Sequence, residues 1–329
     1  MPSTPPTRYR TRWLLLLLLA VCVAVGAGAY VLIGRTDRSA DCTRLVTDKR
    51  VQEALDTRSE PGMDCAGLGD AVLSVTGGDS AGPHTEKQAA AMKGFLLAVA
   101  DDVAERDGRP VPEGLRRPLG AALEGHAVEV YENLNALDFV YSNAAPPAAE
   151  VWEDEKGYHF GLPQKSLVSV IRAVSDDPAV YAGLRTALTA EGAARIAAMP
   201  KDATGASLTA VPAAFARVTG ALDGIAERTA GDGEPRTRWY TKAVGVLSGD
   251  EAAVPDPSVD LVGHLTGVWR EQLRAAPEKA EAMNGQSEGF FTTWADFRKV
   301  PAAQREPTLQ SCRSSAHATS QRALEDLGD

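Results

Sequence analysis

Residues 13–34 constrain this chain more than any other stretch. They read WLLLLLLAVCVAVGAGAYVLIG, without charge or proline. At about 1.5 Å rise per residue this run makes about 33 Å of helix, enough to cross the hydrocarbon core of a bilayer. Trp13 and Tyr30 stand near its two ends, where amphipathic rings favour the membrane interface. Arg8, Arg10 and Arg12 precede it with nothing acidic upstream, whereas Arg35 and Arg38 alternate with Asp37 and Asp41 after it. The positive-inside bias therefore predicts residues 1–12 as a cytoplasmic tail and 13–34 as a transmembrane signal anchor. It puts 35–329 outside the cytoplasm, at the cell membrane.

Two other fates of this segment compete with the anchor. Ala27-Gly28-Ala29 offers a signal-peptidase site, but the apolar run continues through Tyr30–Ile33 and would be left exposed on a mature chain. Leu19-Ala20-Val21-Cys22 resembles a lipobox, but Val21 is bulky for the position before a modified cysteine. Ala20, Ala24 and Gly28 recur every four residues. That spacing suits close helix approach, though small residues are common in such helices.

The net charge is −10, and −13 once the three N-terminal arginines are set aside. An acidic outer region argues against nucleic acid or anionic lipid as the main partner. Cys22 lies in the apolar run, leaving Cys42, Cys65 and Cys312 in a compartment where disulfides persist. The expected bridge is Cys42–Cys65, stapling a local hairpin. Cys42–Cys312 and Cys65–Cys312 are the alternatives, which would tie the first helices to the last. With no Cys-x-x-Cys, neither a redox site nor a zinc ribbon is expected.

Beyond the anchor, helical periodicity dominates. Thr85-Glu86-Lys87-Gln88 is a capping box, and Met92, Leu96, Val99 and Val103 then form one apolar face before Asp107-Gly108-Arg109-Pro110 stops the helix. Leu119, Leu123, Val130, Leu134 and Leu137 read as the stripe of the next helix. Residues 144–163 form a long connection that could include a small hairpin. Asp177-Pro178 predicts an N-cap with proline at the first helical position. Leu208, Val211, Phe215, Val218, Leu222 and Ile225 make a short seam suited to bundle packing. Further helices are predicted around 239–247, 261–273, 290–297 and 302–327. Runs of period two are missing, so the expected fold is all-α: an N-terminal transmembrane helix followed by an extracytoplasmic multi-helix bundle.

Pro112 and Arg116, then Ser175, Asp177, Pro178, Tyr181 and Leu184, follow an order that resembles the repeating helical domain of actinobacterial proteins linked to type VII secretion and the Trp-Xaa-Gly hairpin superfamily. The resemblance covers roughly 120 residues and rests on caps and core positions. It implies a helical envelope module and supplies no catalytic residue. The chain departs from the family in lacking a Trp-x-Gly turn; Gly267-Val268-Trp269 has the reverse order.

Candidate chemistry is sparse. None of His84, His126, His159, His264 and His317 pairs with another at metal spacing, and His126 reads as a hydrogen-bonded core histidine rather than a ligand. Glu153, Asp154 and Glu155 beside Tyr158 and His159 form the most site-like cluster, either sugar-binding acids or a solvated loop tip. Phe290, Phe291, Trp294 and Phe297 recur at helical spacing. Periodicity reads them as a core anchor, whereas their aromatic content also makes them the candidate partner face. No nucleophile elbow, P-loop or dinucleotide fingerprint is present. The expectation is a membrane-anchored module that binds an envelope protein through its ectodomain, with no cofactor, metal or small-molecule ligand. The alternatives are an extracytoplasmic enzyme acting on wall glycan and an accessory of a type VII secretion or toxin system.

Overall fold

A computed structural model describes residues 42–56, 62–78, 82–135, 137, 139–249 and 253–328. The segment 13–34, with Trp13 and Tyr30, lies outside them, and no helix among the described residues is long and apolar enough to cross a membrane. The described chain forms fifteen helices and one two-stranded hairpin, an all-α architecture as the periodicity predicts.

The first helices, α1 (Thr43–Thr47), α2 (Lys49–Leu55) and α3 (Cys65–Thr76), are tied together by the Cys42–Cys65 disulfide, the local pairing expected. Cys312 is free and buried. Helix α4 (Glu86–Glu105) starts on the complete Thr85/Gln88 capping box, and Asp107 and Gly108, both at positive φ, turn the chain at its end. Its apolar face, with Met92, Phe95, Leu96 and Val99, lies fully in the core.

The stripe from Leu119 to Leu137 is two helices rather than one, α5 (Glu113–Gly125) and α6 (Ala127–Asn135), with His126 capping the first. Leu119, Leu123, Val130 and Leu134 are buried, but Leu137 lies past the end of α6 and stands 70% exposed. A short helix, α7 (Phe139–Ala144), leads to the hairpin of β1 (Trp152–Asp154) and β2 (Gly157–His159). Its strands pair antiparallel in the register Trp152↔His159, Glu153↔Tyr158 and Asp154↔Gly157.

Then come α8 (Gln164–Val174), α9 (Pro178–Ala197), α10 (Ala206–Ala230), α11 (Gly233–Ser248), α12 (Leu261–Ala275), α13 (Lys279–Asn284), α14 (Gln286–Arg298) and α15 (Ala302–Asp326). Asp177 caps α9 with its side chain, and Pro178 follows at the first helical position. The seam from Leu208 to Ile225 belongs to the single helix α10, which packs along α15, where the Thr319 hydroxyl donates to Arg217 O at 2.8 Å.

A buried polar network joins four helices around Arg185, which is fully enclosed. Its guanidinium donates to Asp223 Oδ1 at 2.6 Å, Tyr181 Oη at 2.7 Å, Gln286 Oε1 at 3.0 Å and Met283 O at 2.8 Å. Gln286 in turn donates to Thr189 Oγ1 at 2.7 Å. A buried charge is tolerable only when paired and hydrogen-bonded, and this one is both.

The aromatic stripe is core, not a partner face. Phe290, Phe291 and Trp294 are buried, with Phe290 against Phe215 at 5.2 Å and Trp269 at 6.1 Å between ring centroids. Phe297 is half-buried under the Arg298 guanidinium. Helix α14 packs against α10, α12 and α15.

Candidate functional site

The fold brings together three of the histidines that the sequence keeps apart. His84 ends the connection into α4, His126 stands at the α5–α6 junction, and His159 closes β2. Their side chains meet at Glu129, in the first turn of α6.

The α5–α6 junction lies against the end of α3, and the approach is close enough to require glycine. A Cβ on Gly125 would fall 2.6 Å from Gly78 O and 2.7 Å from its Cα, where the backbone cannot give way. That approach places the His126 ring on the last turn of α3, with Nε2 2.9 Å from Thr76 O. His84 stacks on His126 with ring centroids 3.7 Å apart, and its own Nε2 lies 3.2 Å from Gly125 O. Phe160 packs edge-on against His126 at 5.5 Å and closes the far side.

Glu129 is almost fully buried. Its Oε1 is 2.7 Å from His159 Nδ1, and its Oε2 is 3.6 Å from His126 Nδ1. His159 Nε2 reaches on to Asp154 Oδ1 at 2.8 Å, so a chain of groups runs from the half-exposed Asp154 through His159 and Glu129 to the stacked imidazole pair. Burial alone would raise the Glu129 carboxyl, but the His126 and His159 rings outweigh it and hold the carboxyl down to about 2. The Glu129 carboxylate raises the His159 pKa against the effect of burial, with Asp154 adding to the rise. Burial, and then the neighbouring His126 ring, lowers that of His84. The hydrogen bond from the Lys156 backbone N–H, followed by that of His159, lowers Asp154.

The hairpin covers this cluster. The Tyr158 N–H donates to His84 O at 3.1 Å, which joins β2 to the loop that carries His84. Gly157 sits at φ 121° with its missing Cβ 2.9 Å from Pro83 Cβ, so both the turn and the close contact need glycine there. Lys93 fixes the segment leading into the hairpin. It is buried and donates to three carbonyls, Ala144 O at 2.9 Å, Pro146 O at 3.1 Å and Ala149 O at 2.7 Å. Tyr141 of α7 packs edge-on against Trp152 at 4.8 Å between ring centroids, and Trp152 is 5.7 Å from the His159 ring.

The acidic cluster of the sequence therefore divides. The buried His159 and the exposed Asp154 join the chain of groups that ends at Glu129, while Glu153 and Glu155 stay on the exposed side of the hairpin. His126 is a hydrogen-bonded core histidine, as expected, but not an isolated one. One donor atom from each of His84, His126 and Glu129 lies within 4.8 Å of the others, a proximity that spacing along the sequence does not show. Glu129 and His84 were missed as partners. The legible signal was the His126-Ala-Val-Glu129 spacing, which puts two polar groups on one helical face beside the apolar stripe.

No protein-family model matches the chain, nor does any curated protein or solved structure. The residues behind the resemblance to the secretion-linked repeat have structural roles here. Arg116 donates to Val111 O and pairs with Asp176, Asp177 caps α9, and Tyr181 is buried in the Arg185 network.

Proposed function

We propose that the protein is a single-pass envelope protein, anchored by residues 13–34, whose extracytoplasmic helical domain docks another envelope protein on the surface formed by α7 and the hairpin. The clustering of exposed apolar side chains carries this reading. Five large apolar residues stand exposed among the described residues, and three of them are Leu137, Phe139 and Val140. Phe139 is 78% exposed, and the half-buried Tyr141 and Trp152 adjoin this cluster. Contiguous apolar surface rimmed by polar groups marks interaction sites, and Trp and Tyr are enriched among the residues that dominate binding energy. Lys93 holds the segment after α7 in place, so the surface is preorganised and loses less entropy on docking.

The test is crosslinking in intact cells with a tagged full-length chain, followed by identification of what copurifies from the membrane fraction. A defined envelope protein should be recovered, and it should be lost with Phe139→Asp, a surface change expected to alter stability by no more than about 0.5 kcal/mol. Recovery of a secretion component would extend the reading to the accessory role that the resemblance implies. Undiminished capture by Phe139→Asp, or no reproducible partner, would refute it.

A further inference from the structure

We propose that His126 Nδ1, Glu129 Oε2 and a ring nitrogen of His84 form a binding site for one divalent transition-metal ion of the zinc class.

The first argument is an unsatisfied atom. His126 is fully buried, and its Nδ1 has no hydrogen-bond partner. A buried polar nitrogen left alone is costly, and each such atom in a native structure calls for an explanation. Glu129 Oε2, at 3.6 Å, is too far to hydrogen-bond it. That separation nevertheless suits two ligands of one ion, since bonds of about 2.0–2.2 Å in tetrahedral geometry set ligand atoms about 3.4 Å apart. The third donor, from His84, lies within 4.8 Å of both, and it joins the set when the His84 ring, carried on the connecting loop, swings out of its stack on His126.

The second argument is the groups behind the ligands. A metal-bound imidazole commonly donates its other N–H to a backbone carbonyl or carboxylate, which fixes the tautomer and the ring direction. Both rings have that arrangement, His126 Nε2 on Thr76 O and His84 Nε2 on Gly125 O, which leaves the lone pair of each on Nδ1. Glu129 is supported in turn through Oε1 by His159, which Asp154 holds from the other side.

Two imidazoles and one carboxylate favour zinc and its neighbours over magnesium or calcium, which prefer all-oxygen sites. Three protein ligands leave the fourth position of a tetrahedron for water or a further ligand. The site lies beneath the hairpin, and the hairpin's hydrogen bond to His84 O couples the ligand-bearing loop to the surface above.

The experiment takes the purified full-length chain in detergent, strips it with a chelator, and measures zinc by calorimetric titration and elemental analysis. Cobalt substitution supplies a second readout through its visible absorption. One zinc per chain is expected, together with the intense bands of four-coordinate cobalt. Glu129→Gln and His126→Ala should each weaken binding by more than about 100-fold, beyond the 10–100-fold typical of losing a supporting partner. His264→Ala, on α12, should leave it unchanged. Circular dichroism checks each fold, and if His126→Ala does not fold, His84→Gln on the connecting loop takes its place. Failure to bind zinc, magnesium binding in preference to zinc, or zinc binding undiminished in the folded variants would overturn the proposal. None of these outcomes bears on partner capture by Phe139, so the two readings stand or fall separately.

Discussion

Replacing Arg185 with methionine keeps most of the side chain's length and volume while removing its charge and its donors. Arg185 is fully enclosed, and it supplies four hydrogen bonds to Asp223, Tyr181, Gln286 and Met283. After substitution the Asp223 carboxylate, only 8% exposed, loses its counter-charge, and the Met283 carbonyl and Gln286 Oε1 lose their donor. Removing one partner of a buried ion pair costs about 3–5 kcal/mol, because the remaining charge stays desolvated. At about 2.1 cal/mol/K of unfolding entropy per residue, about 4 kcal/mol corresponds in a domain of this size to a fall in Tm of about 7 °C. The assay is thermal unfolding of the purified chain at pH 7, followed by far-ultraviolet circular dichroism. Asp223→Leu should cost a similar amount. The double variant should cost far less than the sum, with a coupling of about 3 kcal/mol or more, since removing both charges removes the desolvation penalty. A cost below about 1 kcal/mol for Arg185→Met, or strictly additive losses, would refute the reasoning that this network joins α9, α10, α13 and α14.

The Cys42–Cys65 bridge closes a loop of 23 residues, so its loss should cost about 3.5 kcal/mol on the chain-entropy relation, read as a lower midpoint in urea for Cys65→Ser. Cys312 is buried, and burial pushes its thiol up to about 12, so it should resist a thiol reagent in the native chain and react once unfolded; rapid labelling of the folded chain would contradict the structure there.

Helix positions were legible where sequence chemistry acts locally. The Thr85/Gln88 capping box and the Asp177-Pro178 start depend on groups within three residues of each other, so their geometry follows from spacing alone. The Cys42–Cys65 bridge was legible for the same reason, since the two cysteines lie only 23 positions apart. The stripe through Leu137 misled because periodicity does not register a break at a single residue. His126 ends α5, and Gly125 beside it lies against Gly78, a contact between distant segments that periodicity does not register. The aromatic stripe could be read as core or as partner face until its neighbours were known, because the packing of α10 and α12 against α14 decides it.

By itself the sequence determined a helical domain, its caps and turns, a net negative charge and an apolar run suited to a membrane. Those properties depend on residue type at short range. The meeting of His84, His126, Glu129, His159 and Asp154 was decided only by tertiary structure. These residues come from a loop, a helix junction, a helix and a hairpin, and each packs as it does because its own element buries its apolar face. Burial of His84, His126, Glu129 and His159 then changes their chemistry: water that would solvate and separate them is excluded, and their charges and lone pairs act on one another at short range.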